Sequence, residues 1–239
     1  MRPGIQRQAR STLAAVAAVG AMLAGLATLA AHAGALDALT SKDASSGLKA
    51  ALSQSVDKAV KQLGATDGFL GNPKVTIPLP SAFRKVDSAL RLLGRGGDAD
   101  ELKASLNHAA ESAMTEATPV LKKSLRAMTL QDAKGILAGG EDSATQYFRR
   151  SASDELKTRF KPIVARATAR VKLAGLYDKY AGQAAQFGLL DSNEANMNDY
   201  VTEKALDGLF LVMADEEKAI RQDPLGQASS IIRKVFGAH

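Results

Sequence analysis

The chain has 239 residues, no cysteine, and 31 basic against 25 acidic side chains, for a net charge of +6. Because cysteine is absent, disulfides, thiolate chemistry and a cysteine-linked lipid anchor are all excluded. Three arginines lie among the first ten residues, so the rest of the chain carries 28 basic and 25 acidic side chains, or +3. That excess is too small to indicate a nucleic acid partner, and none is predicted.

The N-terminus has the three parts of a secretory signal peptide. Its three arginines precede an apolar run over residues 11–30, which ends in the A-x-A sequence Ala31-His32-Ala33. This pattern predicts a signal peptide over residues 1–33, cleaved near Ala33. The remaining residues 34–239 would form a single α-helical domain, located in the periplasm or secreted. The run is also long enough to span a bilayer, so a retained N-terminal membrane anchor is the alternative.

The first predicted helix covers residues 46–64 and is followed by a segment without helical spacing. In the helix, apolar residues recur every three or four positions, at Leu48, Leu52, Val56, Val60 and Leu63. Between residues 74 and 80, three apolar residues alternate with Thr76 and Pro78. The prolines exclude a central strand, and one strand cannot make a sheet. The segment 74–80 is therefore predicted to be an extended strap across a helical core.

Two further helices are predicted before the middle of the chain. One covers residues 81–94, where Ser81 follows a proline and is a plausible N-cap. The next is predicted to begin with Asp98 or Asp100 as its cap. Pro119 lies inside that helical pattern and predicts a kink or a break.

A short helix then ends at a pair of glycines. Thr129 and Asp132 have the spacing of a capping box at its start. Gly139-Gly140 predicts its end, because glycine adopts the left-handed conformation without a Cβ penalty. The two acidic residues that follow favour the first turn of a new helix through its dipole. The stretch therefore predicts a sharp corner between two helices.

The C-terminal part predicts helices over residues 153–188, 200–223 and 225–237, with opposite charge on neighbouring regions. Residues 149–179 carry nine basic and three acidic side chains, whereas residues 191–223 carry nine acidic and three basic ones. Consecutive elements usually pack together, so the two regions are predicted to be antiparallel neighbours. The alternative is a peripheral contact between the basic region 149–179 and an anionic membrane.

Histidine chemistry is limited to one well-placed side chain. His32 would leave with the signal peptide and His239 ends the chain, which leaves His108, one helical turn before Glu111. A carboxylate-bridged di-iron bundle needs two such Glu/His pairs, and a usual catalytic zinc site needs more than one histidine. Neither a metal site nor a cofactor is predicted.

Polar side chains near the glycine pair are the leading candidates for a ligand site. Asp132, Thr145, Tyr147 and Arg149 are predicted to line a small polar pocket at the Gly139-Gly140 corner. The corner by itself is sufficiently explained as a turn between helices. The pocket is therefore the first place to test for a ligand, and the residues of a catalytic site stay unknown.

Three carboxylates offer an enzymatic alternative. Asp132, Asp207 or Glu217 could act with Tyr147, provided that these groups converge in one cleft. Glu217 lies four residues before Arg221. This spacing predicts a structural ion pair, because buried acids are normally paired.

Several motifs occur in order along the chain: DGF, IPLP, AAESA, MTLQDAKGILAGGEDSATQYFR, VTEKALDGLF and EEKAIRQDPLGQASSIIRKVFG. Together they resemble the bacterial domain-of-unknown-function family 4197, found in exported or lipid-anchored proteins, over about Leu36–Gly237. This chain has Leu106-Asn107-His108 where the family commonly has Met-Asn-Arg. The family also tends to have an arginine near the position that Gln227 occupies in this chain. These departures weaken His108 as a ligand and an anion contact at Gln227. The resemblance implies no established activity.

These observations predict an all-α, single-domain helical bundle in the cell envelope. Its predicted function is a non-catalytic binding or interaction module, whose partner is an unknown envelope protein. One alternative is a carrier of a lipid or other apolar small molecule between helices, which requires a sizeable cavity. The other is the carboxylate-dependent enzyme.

Overall fold

A computed structural model describes residues 41–81, 91–92, 94, 96–170 and 196–223. The predicted signal peptide, most of the predicted helix at 81–94, and the last predicted helix lie outside the described residues. The final residues of the basic region 149–179 and the position of Gln227 lie outside them as well.

Six α-helices account for most of the described residues. They are α1 (Ser41–Leu63), α2 (Gly96–Ala113), α3 (Ala117–Ala127), α4 (Leu130–Ala138), α5 (Ser143–Thr168) and α6 (Met197–Gln222). A short 3-10 helix, Met114–Glu116, separates α2 from α3. Since no strand occurs within these described ranges, the all-α prediction is confirmed. None of the helices described here combines the length and apolar content that crossing a bilayer requires.

Helices α5 and α6 make the most extensive contact in the described structure. Helix α5 also packs against α2, α3 and α4, whereas α6 also packs against α1 and α2. Helix α1 in turn contacts α3 and α4. One continuous apolar core joins these helices, and its bulkiest fully buried side chains are Phe69, Phe148, Phe160 and Phe210. The apolar stripes predicted from helical spacing therefore face one another in this core.

Helices α5 and α6 run antiparallel, and ion pairs join them along their length. The pairs are Lys161–Asp199 at 2.7 Å, Lys157–Glu203 at 3.1 Å and Arg149–Asp207 at 3.8 Å. The register is antiparallel because residue numbers fall on α5 as they rise on α6. The described parts of the basic and acidic regions are thus neighbours, as the charge pattern predicts. Exposed pairs of this kind contribute only about 0–1 kcal/mol each, so they set the register more than the stability.

The strap predicted at residues 74–80 is partly a turn: Lys74 and Val75 lie in a hydrogen-bonded turn after Asn72, and only residues 76–80 are neither helix, strand nor turn. Four of its residues are buried: Val75, Ile77, Leu79 and Pro80. On α2, Asn107 accepts the N–H of Ile77 at 2.8 Å and donates to the carbonyl of Ile77 at 3.0 Å. The hydroxyl of Tyr200 on α6 donates to the carbonyl of Pro78 at 3.0 Å. Side chains therefore satisfy backbone groups that a neighbouring strand would satisfy in a sheet.

The helix predicted to begin at Asp98 or Asp100 differs from the prediction at its start. It begins at Gly96, so neither aspartate is its cap, and Asp100 instead pairs with Arg91 at 2.6 Å. The predicted break does occur, because the 3-10 helix interrupts the pattern just before Pro119. The proline falls in the first turn of α3, where its missing N–H removes no helical hydrogen bond.

The corner between α4 and α5 needs glycine for a different reason than the one predicted. Gly139 has φ −86° and ψ 179°, so it is not left-handed. A Cβ on Gly139 would lie 2.6 Å from the Cβ of Ser143 and 2.8 Å from the carbonyl oxygen of Gly135. The residue must be small because the chain turns back closely on itself. A Cβ on Gly140 would meet nothing within 4 Å.

Candidate functional site

A buried carboxylate on α6 holds the start of α5. Glu217 is 4% exposed. Its Oε1 accepts the N–H of Ala144 at 2.9 Å, and its Oε2 accepts the N–H and the hydroxyl of Thr145 at 2.9 and 3.0 Å. These amides belong to the first turn of α5, whose own N-cap, Asp142, makes no side-chain capping bond. Glu217 therefore caps α5 from another helix, and its negative charge suits a helix N-terminus.

Arg221, one turn further along α6, binds both this carboxylate and the corner. Its guanidinium donates to Oε1 of Glu217 through Nη2 at 2.8 Å and through Nε at 3.2 Å. The same Nη2 donates to the carbonyl of Ile136 at 2.9 Å and to Oγ of Ser143 at 2.8 Å. We call Ser143, Thr145, Glu217 and Arg221 the corner cluster. It ties the end of α4 and the start of α5 to α6.

Asp132 lies in the capping box of α4, as its spacing predicts. Its carboxylate accepts the N–H of Thr129 at 2.9 Å and the hydroxyl at 2.7 Å, while Oγ1 of Thr129 accepts the N–H of Asp132 at 3.1 Å. These hydrogen bonds hold the pKa of the Asp132 carboxyl below its usual range, and the charge of Arg150 lowers it further. The carboxylate therefore acts as a helix cap.

Tyr147 is directed into the protein interior. Its hydroxyl donates to the carbonyl of Ser124 on α3 at 2.8 Å. Burial raises the pKa of the Tyr147 phenol, and the negative charge of Asp132 raises it further. Asp132 and Tyr147 are two of the four predicted ligand residues, and they lie close enough for the charge of Asp132 to raise the pKa of the Tyr147 phenol. The Tyr147 hydroxyl therefore serves as a hydrogen-bond donor to the backbone of α3.

Arg149 and Asp207 form a surface contact between α5 and α6. The guanidinium of Arg149 lies 4.7 Å from the centroid of the Phe210 ring and 3.8 Å from Asp207. The Asp207 side chain is 59% exposed and also lies 3.8 Å from Lys204. Within the described residues, no hydrogen bond links Arg149 to the other three predicted ligand residues. The ligand pocket at the corner therefore stays a prediction.

A second polar region lies where the turn after α1 meets α2. Six residues line an open groove of about 450 Å³: Gly64, Thr66, His108, Glu111, Ser112 and Thr115. Beside it, Oδ1 of Asp67 lies 3.4 Å from Nε2 of His108. Ligand-capable atoms of Asp67, His108 and Glu111 all lie within 4.8 Å of one another. Helical spacing pairs His108 with Glu111, but no local signal reveals Asp67, which lies 41 residues before His108.

The corner cluster also borders a small crevice. Seven residues line it: Leu48, Ala51, Leu52, Ala144, Glu217, Ile220 and Arg221. Its volume is about 10 Å³, which is space for about one water molecule. The crevice lies between α1 and the end of α6, and it does not enclose a site of ligand size.

The fold and these contacts define an all-α protein in which the acidic helix α6 caps the start of α5 and is joined to α5 by ion pairs. The family model described as Protein of unknown function (DUF4197) matches residues 38–237. Because this match covers most of the chain, the protein belongs to that family, as the ordered motifs indicate. A search of the curated proteins finds no significant match, and neither does a search of the solved structures.

Proposed function

We propose that this protein is an exported, non-catalytic interaction module of the bacterial cell envelope. The observation that supports the proposal is that the three candidate catalytic carboxylates all have structural roles. Glu217 caps α5, Asp132 completes the capping box of α4, and Asp207 lies in exposed ion pairs. An enzyme of the carboxylate-dependent kind needs such groups to converge on one reacting atom. Asp207 and Glu217 are instead ten residues apart on one helix, or about 15 Å along its axis.

Export is proposed from the N-terminal sequence. The basic start, the apolar run and the A-x-A ending over residues 1–33 are the features that signal peptidases recognise. Cleavage near Ala33 would release the domain before the family match begins at residue 38. Retention of the apolar run as an anchor would instead hold the same domain at the membrane surface.

Within the described residues, the packing of the core favours a module over a lipid carrier. A carrier site for an apolar ligand needs a cavity of roughly 300 Å³ or more. The crevice beside Leu48 and Ile220 holds about 10 Å³, and the larger groove at His108 is open and lined mainly by polar residues. These two spaces offer no enclosed apolar volume to a lipid chain.

Peripheral contact with an anionic membrane is a further possibility for the basic region 149–179. Three of its basic residues, Arg149, Lys157 and Lys161, face acidic partners on α6. A membrane contact by the described part of this region would therefore depend on other cations, such as Arg150 and Arg166. Neither of these forms an ion pair within the described residues.

Native mass spectrometry of the protein from the envelope fraction tests the proposal. We expect a chain that begins near Gly34, in stoichiometric complex with an envelope protein and without bound lipid. A variant lacking residues 1–33 is the control, and it should stay in the cytoplasm without that complex. A lipid that survives purification on the chain would instead support the carrier. Co-flotation with phosphatidylglycerol vesicles that is lost in Arg150→Glu/Arg166→Glu would support the membrane contact.

A further inference from the structure

We propose that Asp67, His108 and Glu111 form a binding site for a single zinc ion. This site is independent of the proposed function and involves different residues from the corner cluster. Asp67 lies in the turn after α1, while His108 and Glu111 lie one helical turn apart on α2. Their ligand-capable atoms lie within 4.8 Å of one another, so a small rearrangement brings all three onto one ion.

The distance between Asp67 and His108 matches two ligands of a common metal. Oδ1 of Asp67 and Nε2 of His108 are 3.4 Å apart, which is longer than the usual hydrogen bond of about 2.9 Å. Two ligands of tetrahedral zinc, with bonds of about 2.0–2.1 Å, are separated by about 3.3–3.4 Å. The side chains of His108 and Asp67 are 51% and 58% exposed, and their separation is compatible with two ligands of one zinc ion.

Glu111 distinguishes this group from an ordinary cluster of surface charges. Its residue is 5% exposed, and its Oε1 accepts the N–H groups of Phe69 at 3.0 Å and Leu70 at 3.2 Å. Its Oε2 has no hydrogen-bond partner among the described residues, although Glu111 lines the groove. Backbone donors thus orient a buried carboxylate and leave one oxygen for a cation. Hydrogen bonds of this kind commonly position metal ligands.

The chemistry of the three donors favours zinc over the other common divalent ions. Calcium and magnesium prefer sites made entirely of oxygen, whereas zinc accepts imidazole nitrogen together with carboxylate oxygen. Two carboxylates and a neutral imidazole also balance the double positive charge of the ion. The groove lies open beside the three residues, so water can complete the coordination. Bound zinc would tie the turn after α1 to α2.

Isothermal titration of the full chain with zinc chloride tests this site, using an affinity tag without histidine. We expect about one zinc per chain. His108→Gln and Asp67→Asn should each weaken binding by about tenfold or more, because the first removes the imidazole nitrogen and the second removes the negative charge of the carboxylate. Ser112→Ala is the matched control, since Ser112 lines the same groove without belonging to the ligand group; it should bind zinc as the wild type does.

Two further measurements separate a specific site from scattered surface binding. Zinc should raise the unfolding temperature of the wild type and of Ser112→Ala, but not that of His108→Gln. X-ray absorption of the zinc-loaded wild type should show one imidazole nitrogen among oxygen ligands. Absence of zinc binding by the wild type would overturn the proposal, as would zinc affinity that is unchanged in His108→Gln.

Discussion

Removal of the Glu217 carboxylate should destabilise the protein more than removal of any exposed acid on α6. Glu217→Ala takes away the acceptor for two buried amides and one hydroxyl on α5. It also leaves the Arg221 side chain, which is only 15% exposed, without its carboxylate. An unsatisfied buried group costs about 1–3 kcal/mol, and breaking a buried ion pair costs about 3–5 kcal/mol.

These contributions overlap, because the same carboxylate serves all of these donors. Arg221 can also relax partly into water while keeping its bond to the Ile136 carbonyl. We therefore expect a loss of about 3 kcal/mol in the free energy of unfolding. A domain of ordinary stability, about 5–15 kcal/mol, would survive this loss and remain measurable.

The assay is urea unfolding followed by far-ultraviolet circular dichroism, with the slope of each transition compared between variants. Asp215→Ala is the matched control. Asp215 lies two residues before Glu217 and its side chain, like that of its partner Lys74, is largely exposed, at 46% and 65%. This control should cost only about 0–1 kcal/mol, and its effect should shrink in high salt while that of Glu217→Ala persists.

A double-mutant cycle locates the cause. Glu217→Ala, Arg221→Ala and the double variant should show a coupling of about 1–3 kcal/mol, because the two side chains share one cluster. The reasoning is refuted if Glu217→Ala costs less than about 1 kcal/mol, or no more than Asp215→Ala. Glu217 would then be a solvated charge and α5 would not depend on it for capping.

Three other substitutions test separate features of the fold. Asn107→Leu should cost about 2–3 kcal/mol in urea unfolding, since the buried N–H of Ile77 loses its acceptor; a smaller loss than 1 kcal/mol would contradict this. Gly208→Ala should destabilise the protein by about 1–2 kcal/mol, because the new Cβ would lie 2.7 Å from the buried ring of Phe69. Gly135→Ala is the contrast: the new Cβ would meet nothing within 4 Å, so this variant should be more stable by up to about 1 kcal/mol. The hydrogen bonds of the capping box lower the pKa of Asp132 in the folded protein. The ionised carboxylate therefore stabilises the fold fully when the pH is above the ordinary pKa of about 3.8. This stabilisation is lost as the pH falls through the lower pKa of the folded state. The stability difference between the wild type and Asp132→Asn should therefore be constant above about pH 5 and shrink below about pH 4; a difference that grows in acid would contradict the assignment.

Local chemistry in the sequence determined most of the helical architecture. Apolar spacing, the capping box at Thr129 and the proline-rich strap all act over a few residues, so the sequence alone predicts them. The four-residue spacing of Glu217 and Arg221 likewise indicates a pair on one helix face. The opposite charges of two consecutive regions predicted their antiparallel contact, because consecutive elements usually pack together.

Only the tertiary structure decided what those side chains do. Glu217 caps a helix that begins more than seventy residues earlier, Asn107 satisfies the strap from 30 residues away, and Asp67 meets His108 across 41 residues. Gly139 is required by the close return of the chain and not by a left-handed conformation. Helical periodicity shows which face of a segment is apolar. It does not show which distant segment packs against that face. The partners of buried polar groups are fixed by that packing, because a polar group without water must find a partner wherever the fold supplies one.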